Sequence, residues 1–358
     1  MPAYSNLDSS AMFTSSTTTY GGPALTYDDI MLVPAFSKIE SRKDTDVSTP
    51  VSARYQIAIP LIASPMDTVC EVDMAIAMAR LGGVGCIHRY MSIEEQATQV
   101  HATYQYVNAM NHYKAVMAAV GVKDDYLERA QELTRRGANI ILIDVAHGHH
   151  SLVRDALAQL KKKLPSSVDI IAGNVATADG AISLEEWGAD AIRVGIGGGS
   201  LCTTRIKTGF GVPNVTALME IRDATDLPLI ADGGIRSSAD IVKALALGAN
   251  SVMLGSLLAG TEEAPGDIIE TPQGLFKRYR GSASLETKLA HGQDARNVEG
   301  EATLVPFKGG VKFVVNSLLD GLRSGLSYAG ATCLADFEPN VIQVTSAGLH
   351  EARPHLKS

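Results

Sequence analysis

The sequence has few of the residues that announce a specialised compartment or partner. It has four cysteines in 358 residues, Cys70, Cys86, Cys202 and Cys333, and no two form a C-x-x-C pair. That spacing disfavours a disulfide framework or a thiolate zinc site and makes a reducing cytosol the expected location. Positive charge is also in deficit, with a formal net charge of −8 and a pI near 5.6. A nucleic acid or an anionic membrane surface is therefore not the expected partner, and a phosphorylated ligand would have to be held by local groups. No apolar run reaches membrane-spanning length. The first residues, "MPAYSNLDSSAMFTSSTTTYGGP", lack the basic start and apolar centre of a secretory signal, and residues 1–24 read as a flexible arm. No G-x-G-x-x-G follows a strand and opens a helix, so a nicotinamide cofactor would not be held in Rossmann fashion. His88, His147, His149 and His150 fit no strong ligand spacing, which disfavours a transition-metal site.

What remains is an ordinary globular composition, 46% hydrophobic and 20% charged, with length enough for a large core. Eight short apolar runs recur from Pro60 onward: "PLIASPM", "GVGCIH", "AVMAAVG", "NIILIDVAHG", "VDIIAGNV", "DAIRVGIGGG", "LPLIADGG" and "NSVMLGS". Rich in Ile, Val and Leu and too short for buried helices, they read as strands buried on both faces. Helical segments such as "DDYLERAQELTRRG" and "SADIVKALALG" lie between them and stop at Gly137, Gly188 and Gly248. The count of eight favours a (β/α)8 barrel over a doubly wound sheet, with residues 25–358 as one domain. Function in such a barrel sits at the carboxyl ends of the strands. Here those ends carry Asp67, His88, Asp144, Asn174, residues 195–202, 232–234 and 255–256. A long polar segment around residues 277–304 follows the eighth run and reads as a flap, and "VKFVVNSLLDGLRSGLSYAG" reads as a final helix.

Three glycine-rich loops share the expected rim. "GIGGGSLCTTR" (195–205), "ADGGIRSSAD" and "MLGSLLAG" offer backbone amides to a phosphate, with Ser200 and Ser256 as added hydroxyl donors. Asp232 can accept both hydroxyls of a ribose cis-diol, or cap the helix that starts near Ser237. Cys202 sits where amides and Arg205 favour a thiolate, so it reads either as a nucleophile or as an inert small hydrophobe. Thr203 and Thr204 offer hydroxyls beside it, and Asp144 suits a cofactor ribose or amide.

These residues together resemble the inosine-monophosphate dehydrogenases and guanosine-monophosphate reductases. The resemblance runs in order from about Leu25 to His355 through "ASPMDTV", "AGNVAT", "GIGGGSLCTTR", "IADGGIRSSADIVKALALGANSVMLGS", "LAGTEEAPG", "YRG" and "VPFKG". Gly198 stands where the family more usually has proline. The resemblance implies a barrel that assembles as a homotetramer or octamer, with NADP(H) or NAD(H) as cofactor. It implies a purine nucleotide (GMP or IMP) whose phosphate is held by Ser200, Gly234, Gly255 and Ser256 and whose ribose is held by Asp232. Ser64, Met66, Gly233, Tyr279, Gly281 and Glu299 complete the implied substrate site. Cys202 would attack C2 of the purine beside Thr204, while Asp144, Asn174 and Arg193 face the nicotinamide. A monovalent cation, K+, would rest on Gly195, Gly197 and Cys202.

The resemblance points two ways on the reaction. Dehydrogenases hydrolyse their covalent intermediate with an Arg-Tyr pair on a long flap. Here "DARN" offers Arg296 followed by Asn297, the flap is short, and the tandem domain that most dehydrogenases insert after the second strand is missing. These features favour a reductase, GMP plus NADPH giving IMP, ammonia and NADP. The reductases' catalytic Glu aligns without gaps at Leu285, so Glu286 either moves protons beside Thr204 through a one-residue shift or is a solvated helix residue. "ASPMDTV" and "AGLHEARPH" look more like the dehydrogenases, which convert IMP, NAD and water to XMP and NADH. A nucleotide-binding barrel without catalysis is the reading from another class.

Overall fold

The eight apolar runs form eight parallel strands of one closed barrel: β1 (Leu61–Ala63), β2 (Val84–Ile87), β3 (Met117–Val120), β4 (Ile140–Ile143), β5 (Asp169–Val175), β6 (Ala191–Val194), β7 (Leu229–Asp232) and β8 (Ser251–Leu254). They come from a computed structural model that describes residues 22–110, 113–290 and 298–351. Each strand pairs with its neighbours in chain order, and β8 closes on β1 through the register of Val252 with Leu61 and Leu254 with Ala63. The helices α1 (Val72–Leu81), α2 (Ile93–Asn108), α3 (Tyr126–Arg135), α4 (Ser151–Lys163), α5 (Ala178–Glu186), α6 (Asn214–Arg222) and α7 (Ser238–Ala246) follow the first seven strands. The final amphipathic stretch is α8 (Val311–Ala329), packed against α7 and α1, and it supplies the eighth helix.

Strand periodicity explains the two cores. Ile62, Cys86, Met117, Ala119, Ile140, Leu142, Ile171, Ala191, Ile230 and Met253 fill the barrel interior. The residues between them, such as Leu61, Ala118, Ile141, Ile170, Ile192 and Val252, pack outward against the helices. Successive side chains of a strand point to opposite faces, so one alternation serves both layers. Cys70 and Cys86 are fully buried in these cores, and burial pushes both thiols above their ordinary pKa, as expected of inert small hydrophobes.

The long connection between β8 and α8 has its own structure. Strands β9 (Ile269–Thr271), β10 (Gly274–Arg280) and β11 (Ala302–Pro306) form an antiparallel sheet that rises from the carboxyl end of the barrel. At the other end of the described chain, Ile30–Leu32 pairs with Val341–Gln343, and Tyr27 lies buried against Gly234.

Candidate active site at the carboxyl mouth of the barrel

The same alternation that builds the core brings the polar groups together. Ile140 and Leu142 face the barrel interior, so Asp144 is the next inward position of that strand. By the same count Arg193 follows Ala191, and Asp232 follows Ile230. On β5 the register shifts between Gly173 and Val175, and Asn174 meets Asp232 there. Arg193 is buried at the centre. It donates to Asp144 Oδ1 at 2.8 Å and to Asp232 Oδ2 at 3.1 Å. Burial alone would lower its pKa, but Asp232 and Asp144 outweigh that and hold the guanidinium above its ordinary value. Asn174 Nδ2 donates to Asp232 Oδ2 at 2.7 Å and to the Gly195 carbonyl at 2.7 Å. Its Oδ1 is buried with no partner among the described residues, which leaves it open to a donor from water or a ligand.

The glycine loops fit against each other without room for side chains. A Cβ at Gly195 would lie 2.1 Å from the Asp232 carbonyl, and one at Gly233 would lie 2.8 Å from the Gly198 backbone. The helix beyond Asp232 is capped by Ser237 itself, which leaves Asp232 free for the network described above. Tyr279 is buried and its hydroxyl lies 3.1 Å from Ser200 Oγ and 4.0 Å from Met66 Sδ, with burial raising its pKa. These groups, with Ser64, Gly234, Gly255, Ser256 and Gly281, line a cavity of about 430 Å³. A second cavity of about 720 Å³ shares Arg89, Tyr90 and Val145 with it.

Cys202 is half-buried on the same cavity. Its thiol donates to Thr204 Oγ1 at 3.2 Å, and Thr204 donates in turn to Glu299 Oε2 at 2.6 Å, the length of a charge-assisted bond. Backbone pairing sets this contact. Thr203 N donates to Glu299 O and Glu301 N to Leu201 O, so the Cys202 loop pairs antiparallel with the flap through an isolated bridge. Glu299, expected in the substrate site, lines the cavity with its carboxylate on Thr204. Glu286, expected beside Thr204, is on the surface, where it accepts from Arg278 at 2.8 Å. Arg296 lies outside the described residues. Arg205 ties down the loop, donating to the carbonyls of Ile196 and Val212. Burial lowers its pKa while the nearby Cys202 raises it.

Other rim residues have partners that explain them. Asp67 holds Arg280 at the start of the flap at 2.6 Å, His88 pairs with Glu71 at 3.1 Å, and His150 caps α4. Two contributors gave no sequence signal. Asn214 donates to the carbonyls of Asp232 and Gly233 at 2.9 and 2.6 Å, and Arg89 flanks Asp144 at 3.6 Å.

Comparison with known proteins agrees with this geometry. Residues 24–355 match the model of the IMP dehydrogenase / GMP reductase domain. An inosine-5'-monophosphate dehydrogenase of Nitrosopumilus maritimus is 34% identical over 466 residues, gaps included, covering 92% of this chain and 98% of that protein. One from Borreliella burgdorferi is 36% identical over 392, covering 93% and 96%. A solved GMP reductase of Trypanosoma brucei, a cysteine-to-alanine variant in complex with guanosine 5'-monophosphate, superimposes with a TM-score of 0.88 at 30% identity over 94% of this chain and 98% of that one. The chain belongs to the IMP dehydrogenase / GMP reductase family, whose members are NAD(P)-dependent oxidoreductases acting on purine nucleotides.

Proposed function

We propose that this protein is a GMP reductase, converting GMP and NADPH to IMP, ammonia and NADP. The observation that carries this reading is the chain of contacts from Cys202 through Thr204 to Glu299. It gives the thiol proton a route to a carboxylate, and it gives the leaving amine a proton by the reverse route. The nucleotide phosphate would rest on Ser200, Gly234, Gly255, Ser256 and Tyr279, and the ribose on Asp232 between Gly233 and Arg193. Met66 and Ser64 would flank the base. Cys202 then bonds to C2 of the purine, the 2-amino group leaves as ammonia, and the C–S bond breaks when hydride reaches C2. The nicotinamide supplies that hydride when bound, and the unsatisfied Asn174 Oδ1 beside Asp144 and Arg193 suits its carboxamide or ribose. The second cavity gives room for the rest of a dinucleotide.

A dehydrogenase is the second reading, favoured by the names of the sequence relatives. Compactness does not decide between them. The Borreliella relative aligns over 392 residues against 466 for the Nitrosopumilus one, so a protein named as a dehydrogenase can also be short. Incubating pure protein with GMP and NADPH, and separately with IMP and NAD, discriminates the two. Loss of NADPH absorbance with GMP alone supports the reductase, and NADH formation from IMP overturns it. If K+ rests on the carbonyls of Gly195, Gly197 and Cys202, turnover will rise with K+ and not with Li+. The exposed Phe36, Phe313 and Tyr328 supply apolar surface for a homotetramer or octamer, which sedimentation will distinguish. The four dispersed cysteines are the ground on which we place the enzyme in the cytosol. No helix among the described residues is long and apolar enough to cross a membrane.

A further inference from the structure

Two lysines that the proposed chemistry does not use stand behind the loop that follows β8. Lys277, on β10, is 3% exposed, and its ammonium donates to the carbonyls of Thr261 at 3.2 Å, Glu262 at 3.4 Å and Ala264. A buried ammonium is costly unless its donors are matched, and three carbonyls match its three N–H groups. Burial lowers its pKa, while Glu263, Asp267 and Glu262 raise it. Lys308, in the "VPFKG" block, donates to the carbonyls of Ser256 at 2.7 Å and Leu257 at 3.1 Å. Its backbone N–H also bonds Gly260 O at 2.8 Å. A Cβ at Gly260 (φ +80°) would lie 2.5 Å from Pro306 O, so this approach requires glycine.

Five carbonyls between residues 256 and 264 are thus drawn onto two ammonium groups. A trans peptide points its N–H opposite its carbonyl. Drawing the Ser256 carbonyl toward Lys308 therefore turns the Leu257 amide away from that lysine. The amides of Ser256 and Leu257 donate to no acceptor among the described residues, whereas those of Leu258 and Ala259 both bond Gly255 O. Gly255 and Ser256 line the cavity that also holds Cys202. Tyr279 lies two residues from Lys277 on the same buried face of β10, so one strand holds this loop from behind and reaches Ser200 in front.

We propose that Lys277 and Lys308 are positioning residues for the phosphate of the bound nucleotide. They fix the carbonyls of the loop outward so that its free amides and the Ser256 hydroxyl converge on the anion. The proposal rests on the purine-nucleotide reading of the cavity but not on the direction of the reaction. Its test is the affinity of GMP, IMP and guanosine for wild type, Lys308→Met and Lys277→Met, with thermal unfolding of each protein. Lys308 is solvent-facing, so its variant reports even if Lys277→Met fails to fold. Losing a charge-assisted bond of this kind is expected to weaken GMP and IMP about tenfold in Lys308→Met and more in Lys277→Met. Guanosine affinity should stay unchanged, and the effect on turnover should fall on KM, with kcat within about threefold of wild type. Nucleotide affinity equal to wild type in the folded variants overturns the proposal, as does an equal loss for guanosine. If wild type binds neither GMP nor IMP, the reading of the cavity fails as well.

Discussion

The barrel rim and the flap both contribute to one cavity, yet they place their side chains by different rules. On the rim, Asp144, Arg193 and Asp232 arrive by strand alternation, each one step beyond the last apolar inward residue. In the flap, Glu299 arrives by antiparallel pairing of its backbone with the Cys202 loop, and Glu286 lies on an exposed ion pair. A position on the rim therefore follows from local sequence, whereas one on the flap depends on a partner far away in the chain.

The comparison can be broken first at the residue where both regions meet. Cys202→Ala should abolish turnover, by at least about 10⁴-fold, because no other thiol among the described residues lines the cavity. Retained turnover would separate the rim from the chemistry altogether. The next largest effect sets two flap carboxylates against each other. Glu299→Gln should lower kcat by about 10²–10³-fold through loss of proton transfer, whereas Glu286→Gln should stay within about twofold. Equal effects would mean that the observed pairing is not the working one. For stability, Leu142→Ala in the barrel interior should cost about 2–5 kcal/mol by urea unfolding, while Leu304→Ala on the flap's exposed face should cost less than about 1 kcal/mol. Arg193→Lys keeps the charge but loses the planar fork shared by Asp144 and Asp232. It should weaken nucleotide and cofactor together, by about tenfold each in titration.

The smallest expected effect concerns pH. The hydrogen bond from His88 holds the Glu71 carboxyl below its ordinary value. Its stabilisation is therefore present above the ordinary glutamate pKa and is lost as pH falls through the lowered one. Glu71→Gln should be slightly less stable than wild type at neutral pH, and the gap should close on acidification.

Much of the barrel was legible because its signals are local. Runs of Ile, Val and Leu marked all eight strands, and the polar residues ending them marked the rim. The three glycine loops, with Cys202 among them, were expected on one rim, and they line one cavity there. Which flap carboxylate meets Thr204 was not legible, although Glu299 was expected in the site. Gapless alignment leads to Leu285, with Glu286 one residue on, whereas the pairing of residues 201–203 with 299–301 brings Glu299 to Thr204. Lys277 was hidden for a related reason. A lysine in "LFKRYRG" reads as solvent-facing, and only the carbonyls of a neighbouring loop make its burial tolerable. Asn214 carries no local mark at all, since its role lies in carbonyls from another strand end.

The most direct test of the central claim is the stoichiometry of ammonia released from GMP in the presence of NADPH. The account predicts one ammonia and one IMP for each NADPH oxidised by wild type, and none of either from Cys202→Ala. Formation of XMP and NADH from IMP and NAD, with no ammonia from GMP, would contradict it.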